Sequence, residues 1–322
     1  MAFMEIQHLK KYFDVKGGSL HAVDDVSFSI EKGQTLGVVG ESGCGKSTLG
    51  KLLMRLETPT DGSILFDGVD LAKLSERKFK PYRRRIQMIF QDPFACLDQR
   101  MTVSQLIAEP IRMLTDLRSP ADVAARTREL MDMVGLASRL ENAYPHELDG
   151  GRRQRIGIAR ALASDPELII CDEPVSALDV SIQAQVLNLL QDLQQEKKLT
   201  YIFITHDMSV VRHISDQIVV MYLGQIVEKS EAKELFVHTL QPYSQALLSA
   251  IPVASLDHQK ERILLKGEIS SPINPPDGCR FAKRCRYATE KCFRENTELR
   301  EYTPGHFAAC HYIGKLQEQN AE

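Results

Sequence analysis

Gly40-Glu41-Ser42-Gly43-Cys44-Gly45-Lys46-Ser47-Thr48 decides how the rest of this 322-residue chain is read. The stretch follows the pattern G-x-x-x-x-G-K-[ST]-[ST]. Just before it, Thr35-Leu36-Gly37-Val38-Val39 reads as a short buried strand. Just after it, Leu49, Leu52, Leu53 and Leu56 recur at i, i+3, i+4 and i+7, which predicts an amphipathic helix. The glycines therefore fall on a strand-to-helix turn, the context a P-loop needs. Glycine lets the backbone curl so that successive N–H groups point at one centre. The helix N-terminus adds its partial positive charge there. In that arrangement Lys46 reaches the β- and γ-phosphates of a nucleotide and the Ser47 hydroxyl holds Mg2+.

The rest of the composition sets bounds. The chain is long enough for one large domain and a smaller one. With 43% apolar and 26% charged residues it reads as an ordinary globular protein. A net charge of −3 offers no bulk electrostatic case for nucleic acid binding. Met1-Ala2-Phe3-Met4-Glu5 shows no basic region leading into an apolar run, so no signal peptide is expected. No stretch approaches about 18 uninterrupted apolar residues, so no membrane span is expected and the chain is placed in the cytoplasm.

Strand and helix patterns alternate around the P-loop. Residues 20–30 place Val26, Phe28 and Ile30 at the spacing of a half-buried strand. Ser63-Ile64-Leu65-Phe66 followed by Asp67-Gly68 predicts a strand entering a hairpin turn. Arg85 to Phe90 is a further strand with Gln91 at its end. From about 102 to 163 the pattern turns helical, broken by Pro110, Pro120 and Pro145. Leu168–Cys171 and Tyr201–Thr205 are continuous apolar runs, as in a parallel sheet covered on both faces. Between them residues 180–197 carry Ile182, Val186, Leu189, Leu190 and Leu193 on one helical face, and Gln217 to Glu228 reads as a hairpin around Leu223-Gly224. Composition shifts near residue 236 into a tail punctuated by Pro242, Pro252, Pro272, Pro275 and Pro276. No internal repeat or low-complexity segment is evident.

Four further stretches carry chemistry. Asp172-Glu173 ends the run 168–171, where carboxylates sit at the crevice in which parallel sheets bind ligands. Asp172 suits the Mg2+ carboxylate of a Walker B strand, and Glu173 suits a general base for the attacking water. His206 follows the next run and points to the same crevice, where it contacts γ-phosphate and steadies the water. Gln91 opens the helical insertion, where an amide carbonyl can ligate Mg2+ or water at a hinge. Glu147-Leu148-Asp149-Gly150-Gly151-Arg152-Arg153-Gln154 opens a helix with two glycines, a second backbone phosphate cradle. One chain cannot easily use both cradles on one nucleotide, so a pair of chains sandwiching ATP is implied.

This ensemble resembles an ABC transporter ATPase. A-loop, Walker A, Q-loop, signature, Walker B, D-loop (Ser176-Ala177-Leu178-Asp179) and H-loop stand in family order over roughly residues 5–230. More narrowly, Leu9-Lys10-Lys11-Tyr12-Phe13, Phe90-Gln91-Asp92-Pro93-Phe94-Ala95, Gln241-Pro242-Tyr243-Ser244-Gln245-Ala246-Leu247-Leu248 and the Cys-rich end are similar to the F-type ATPase subunit of oligopeptide/dipeptide importers. The resemblance implies an α/β P-loop NTPase of ABC type. Its parts are an N-terminal antiparallel β subdomain, a RecA-like parallel core, a helical subdomain over about 92–163 and a small Cys-rich extension. The ATPase domain is expected over 1–235 and the extension over 236–322. The partners implied are a D-type ATPase in a heterodimer, two integral membrane permeases docked on the helical insertion, and an extracytoplasmic peptide-binding protein, but no nucleic acid. The chain would then sit peripherally on the cytoplasmic face of the cell membrane and couple ATP hydrolysis to peptide uptake.

Carried over residue by residue, Phe13 stacks on adenine, with Tyr12 as the fallback. Gly40, Ser42, Gly43, Cys44, Gly45, Lys46, Ser47 and Thr48 bind the phosphates. Ser47, Gln91 and Asp172 serve Mg2+, Glu173 and His206 serve hydrolysis, and Leu148, Asp149, Gly150, Gly151 and Arg152 form the signature that meets the partner's nucleotide. That signature departs from the family's L-S-G-G-Q, with Asp149 for Ser and Arg152 for Gln. Either the composite site it completes hydrolyses poorly, or Asp149 is an ordinary helix cap neutralised by Arg152. Cys279, Cys285, Cys292 and Cys310, spaced C-x5-C-x6-C-x17-C, suggest a metal before disulfides in a reducing compartment. Relatives of the resembled subfamily point to a [4Fe–4S] cluster, with zinc or free thiols as alternatives. His306 and His311 nearby read as surface histidines. Two other classes compete. A soluble ABC protein of ribosomes or DNA would carry two ATPase units or a long coiled coil. A P-loop kinase or GTPase would lack the second glycine cradle and the His206 strand.

Overall fold

The computed structural model describes residues 2–251, 262–265, 267 and 271–313. Pro252 of the tail lies outside them. The chain forms two compact units. One holds Glu31–Gln34 and Lys73–Ile204, and the other holds Ala2–Ile30, Thr35–Ala72 and the chain from Thr205 onward.

In chain order the elements begin with strands β1 (Met4–Val15), β2 (Gly18–Ile30) and β3 (Thr35–Val39), helix α1 (Lys46–Leu53) and strands β4 (Asp61–Phe66) and β5 (Val69–Asp70). Two single-turn helices, α2 (Glu76–Phe79) and α3 (Tyr82–Arg85), lead to β6 (Ile86–Ile89). Then come α4 (Val103–Leu114), α5 (Pro120–Met133), α6 (Gly150–Leu162), β7 (Leu168–Asp172), α7 (Val180–Lys197) and β8 (Thr200–Thr205). The chain continues with α8 (Met208–Ile214), β9 (Gln217–Tyr222), β10 (Gln225–Glu231), α9 (Ala232–Val237) and α10 (Pro242–Ser249). It closes with α11 (Glu290–Arg294), β11 (Arg300–Thr303) and β12 (His306–Ala308).

In the unit holding Lys73–Ile204, β6, β7 and β8 run parallel, with Ile86 opposite Leu168 and Leu168 opposite Thr200. Every residue of β7 and β8 is buried, as continuous apolar runs between two covered faces must be. Thr102 starts α4 with a reciprocal cap, in which its hydroxyl accepts from the Gln105 backbone N–H and the Gln105 side-chain Oε1 accepts from the Thr102 N–H. Pro120 opens α5 and Pro145 opens a short turn of 3-10 helix, but Pro110 lies inside α4 and does not break it. Val103, Leu106, Ile107 and Ile111 bury the face around that proline almost completely, so packing offsets the one missing backbone bond.

In the other unit β1 pairs with β2 on one side and β4 on the other, all antiparallel. Val26, Phe28 and Ile30 point inward as expected. The β4–β5 turn puts both Asp67 (φ 48°) and Gly68 (φ 76°) in the left-handed region, the geometry of a two-residue hairpin that follows strand twist. β1 itself escapes period-two reading because its register shifts three times between Ile6 and Tyr12. Helix α1 buries Leu49, Leu52 and Leu53 but ends there, so Leu56 is not on its face and is 56% exposed.

The same unit pairs β3 with β9 in parallel and β9 with β10 in the antiparallel hairpin read around Leu223-Gly224. The tail past residue 236 joins this sheet, with β12 running antiparallel to β10 and Glu228 opposite Ala308. Tyr243 and Phe281 of the tail pack with Tyr222, Val39 and Leu235 in one core cluster. His306, expected at the surface, is 1% exposed. Its Nε2 lies 2.8 Å from the buried Glu228 carboxylate, which also accepts the Leu240 N–H at 2.7 Å and the Gln241 N–H at 3.3 Å. Several partners on one carboxylate are what make its burial tolerable.

Candidate nucleotide-binding site

The loop over residues 40–45 is built between a strand buried along its whole length and a helix whose first residues are Lys46, Ser47 and Thr48. Gly45 caps α1 with φ 106°, and a Cβ there would stand 2.0 Å from the Ala22 carbonyl oxygen, so only glycine fits. Ser42 and Gly43 are exposed at the loop's tip, while burial pushes the Cys44 thiol pKa up. Lys46 is 4% exposed, and its ammonium donates to the Gly40 carbonyl at 2.7 Å and the Glu41 carbonyl at 3.0 Å. The loop thus closes over its own lysine, and neutral carbonyls are partners that anionic phosphates can replace with stronger, charge-assisted bonds.

The aromatic candidates of β1 differ in their surroundings. Tyr12 stacks on His21 with ring centroids 4.0 Å apart and its hydroxyl donates to Asp24. Burial and that carboxylate push its phenol pKa up. Phe13 is half-buried, with the Lys11 ammonium 4.6 Å from its ring centroid. In the same unit His206 is exposed just after β8. The turn that carries it is fixed by Asp207, which donates its N–H to the Thr205 hydroxyl and caps α8 by accepting from the Ser209 N–H at 2.7 Å.

In the unit holding Lys73–Ile204, Asp172 closes β7 at 6% exposure. Glu173 follows with φ 47°, a left-handed conformation for a residue with a side chain, held by its N–H bond to the Ile204 carbonyl at 2.9 Å. The Gln91 amide donates to the Glu173 carboxylate at 2.9 Å, so two residues read separately from the sequence meet. Leu148 is buried. Asp149 caps α6, accepting from the Arg152 N–H at 2.8 Å, and its other oxygen lies 3.4 Å from Arg152 Nε. Added Cβ atoms at Gly150 and Gly151 would lie 3.1 Å from Leu178 and 2.6 Å from Ile182. The two glycines therefore let the start of α6 approach the Ser176–Asp179 turn and α7.

Cys279, Cys285, Cys292 and Cys310 do line one pocket, together with Phe281, Tyr287 and Tyr312. All four are free cysteines. The expected [4Fe–4S] cluster and its zinc alternative do not fit them. Among the described residues no group of three or more His, Cys, Asp or Glu is placed to hold a metal ion. The cavity is about 20 Å³, room for about one water-sized sphere. Burial also pushes the Cys285 thiol up to about 11 and raises those of Cys279 and Cys310, which disfavours the thiolate a metal requires. The iron–sulfur and metal-binding expectation for the tail is corrected accordingly.

Two residues that touch the loop were not assigned to it from the sequence. Tyr243 and Arg284, both in the tail, bond to Glu41 from about 200 and 240 positions away. Among the described residues no helix is long and apolar enough to cross a membrane.

Comparison with known proteins bears on the whole chain. The ABC transporter family matches residues 23–176, and the oligopeptide/dipeptide transporter C-terminal region matches residues 227–292. The oligopeptide transport ATP-binding protein AppF of Bacillus subtilis (strain 168) is 52% identical over 318 residues, covering 96% of each chain. The oligopeptide transport ATP-binding protein OppF of Haemophilus influenzae is 49% identical over 95% of this chain and 93% of its own. Among solved structures, the post-hydrolysis dimer of the ATP-binding cassette MJ0796 bound to ADP and Pi covers 71% of this chain with 28% identity and a TM-score of 0.66.

Proposed function

The chain belongs to the ATP-binding subunits of ABC oligopeptide/dipeptide importers, and from that membership we propose how its own residues bind and hydrolyse ATP to drive peptide uptake. The transport role follows from similarity over 95% or more of the chain to relatives named as oligopeptide transport ATP-binding proteins, and the ATPase activity from the ABC family match and the similar cassette solved after hydrolysis with ADP and Pi. In the proposal the chain pairs with a D-type ATPase, and two membrane permeases hold the pair at the cytoplasmic face of the membrane. An external binding protein delivers the peptide. Exposed Phe90 and Phe94 support docking of the permeases near Gln91. So does a cavity of about 120 Å³ lined by Phe90, Pro93, Pro110 and Arg160.

The observation that carries the chemical reading is Lys46 held over the carbonyls of a loop that only glycine can close at residue 45. Gly40 and Ser42 to Thr48 cradle the phosphates, and Phe13 rather than the hydroxyl-anchored Tyr12 stacks on adenine. The Ser47 hydroxyl, the Gln91 carbonyl and the Asp172 carboxylate are hard oxygen donors, the set Mg2+ prefers. When bound with ATP, that ion offsets phosphate charge. Glu173 takes a proton from the attacking water, and His206 orients that water toward γ-phosphate. The left-handed backbone at Glu173 and its bond to Gln91 support this, since strained conformations gather at working positions. Leu148 to Arg152 face the partner's nucleotide.

The test is uptake of a labelled tripeptide into proteoliposomes containing the assembled importer. ATP-dependent uptake is expected, and Lys46→Ala is expected to abolish it. ATP turnover without peptide uptake would reject the proposed coupling.

A further inference from the structure

Glu41 is the first variable position of the phosphate-binding loop, and a carboxylate there works against the loop's purpose. An anion beside an anion site repels the ligand. The fold answers this from the tail. Arg284 grips the Glu41 carboxylate with two nitrogens, at 2.6 and 3.0 Å, and its side chain is 8% exposed. The Glu41 N–H donates to the Tyr243 hydroxyl at 2.8 Å, while the Glu41 carbonyl accepts from Lys46. One corner of the loop is thus held at its carboxylate, its N–H and its carbonyl, and two of those three contacts come from beyond residue 236.

Both tail contacts rest on rigid ground. Tyr243 is fully buried, and its ring packs on Tyr222 and Phe281 at centroid distances of 4.7 and 5.4 Å. Phe281 lies three residues before Arg284. Arg280, on the same short segment, donates to the Leu223 carbonyl and to Asp24, the residue that receives the Tyr12 hydroxyl. A bidentate arginine on a packed aromatic base fixes direction as well as charge.

We propose that Arg284 and Tyr243 are positioning residues for ATP, setting the Glu41 corner of the loop and cancelling its carboxylate so that the phosphates can approach. The inference rests on the reading of residues 40–48 as the ATP site. It makes the C-terminal region part of the nucleotide site, and it distinguishes charge cancellation from mere fastening.

The experiment measures equilibrium binding of a fluorescent ATP analogue to the full-length chain, alongside nucleotide-free melting. Arg284→Met leaves the carboxylate unpaired and is expected to weaken binding about tenfold. Adding Glu41→Gln to Arg284→Met removes the offending charge and is expected to restore most of that affinity. The corresponding ADP analogue, with one phosphate fewer, is expected to respond less. Tyr243→Phe keeps the ring, loses the acceptor for the Glu41 N–H, and is expected to weaken binding several-fold. A double variant no better than Arg284→Met, or lowered melting with unchanged affinity in every variant, overturns the proposal and leaves a structural staple. If the wild-type chain itself fails to bind the analogue, the reading of the loop falls, and the inference falls with it.

Discussion

Asp149→Ala and Asp149→Asn separate two jobs at the start of α6. One Asp149 oxygen accepts the Arg152 N–H at 2.8 Å, an N-cap bond worth about 1 kcal/mol. The other faces Arg152 Nε at 3.4 Å, with the two side chains 60% and 46% exposed, so that ion pair adds about 0.5 kcal/mol at most. Alanine loses both, whereas asparagine keeps an oxygen acceptor. Urea unfolding of the isolated subunit should show a loss of about 1–1.5 kcal/mol for Asp149→Ala and under about 0.5 kcal/mol for Asp149→Asn. In the proposed heterodimer the same carboxylate would face the partner's γ-phosphate. At ~4 Å and an effective dielectric of ~20 the repulsion is about 4 kcal/mol, an upper figure because Arg152 shares the charge. Even a quarter of it is a factor of about five in rate. With Glu173→Gln silencing the other site, Asp149→Ser with Arg152→Gln should raise residual phosphate release at least that much. Unchanged release would show that Asp149 is only a cap. Equal destabilisation by asparagine and alanine would refute the capping arithmetic itself.

Gly45→Ala places a Cβ 2.0 Å from the Ala22 carbonyl oxygen at φ 106°, so it should abolish ATP-analogue binding and lower stability by about 1–3 kcal/mol, read by titration and melting. Phe13→Ala should weaken the same binding by about tenfold through lost stacking while Tyr12→Phe changes it little, and the reverse order in a binding titration would exchange their roles. Alkylation of Cys285, followed by mass spectrometry, should be slow at pH 8 and climb toward pH 11, because burial raises its thiol from about 9 to about 11. Between those values the folded chain keeps a proton the unfolded chain has lost. That contribution to stability is complete below about pH 9 and is lost as pH rises to about 11.

How much was legible depended on whether the signal was local. The strand before the loop and the apolar runs at 168–171 and 201–205 are buried on both faces, which leaves no competing reading. The 67–68 and 223–224 turns announced themselves through glycine. β1 did not, because its bulges break the alternation that strand reading relies on. β11 has every residue exposed, so it presents no apolar face to detect. Gln91 and Glu173 were each placed by motif, but their contact is a property of the fold. The cysteine spacing correctly gathered four thiols into one pocket and still misjudged the chemistry, because spacing carries no information about burial or room. Glu41 with Arg284 is the extreme case. Neither residue is unusual where it stands, and only folding puts them 2.6 Å apart.

The central proposal is ATP hydrolysis with Glu173 as general base. The most direct test is to load the assembled heterodimer carrying Glu173→Gln with labelled ATP and follow both retained nucleotide and released phosphate. The account predicts tight ATP retention in a closed dimer with no hydrolysis at that site. Phosphate release there at the wild-type rate would contradict it.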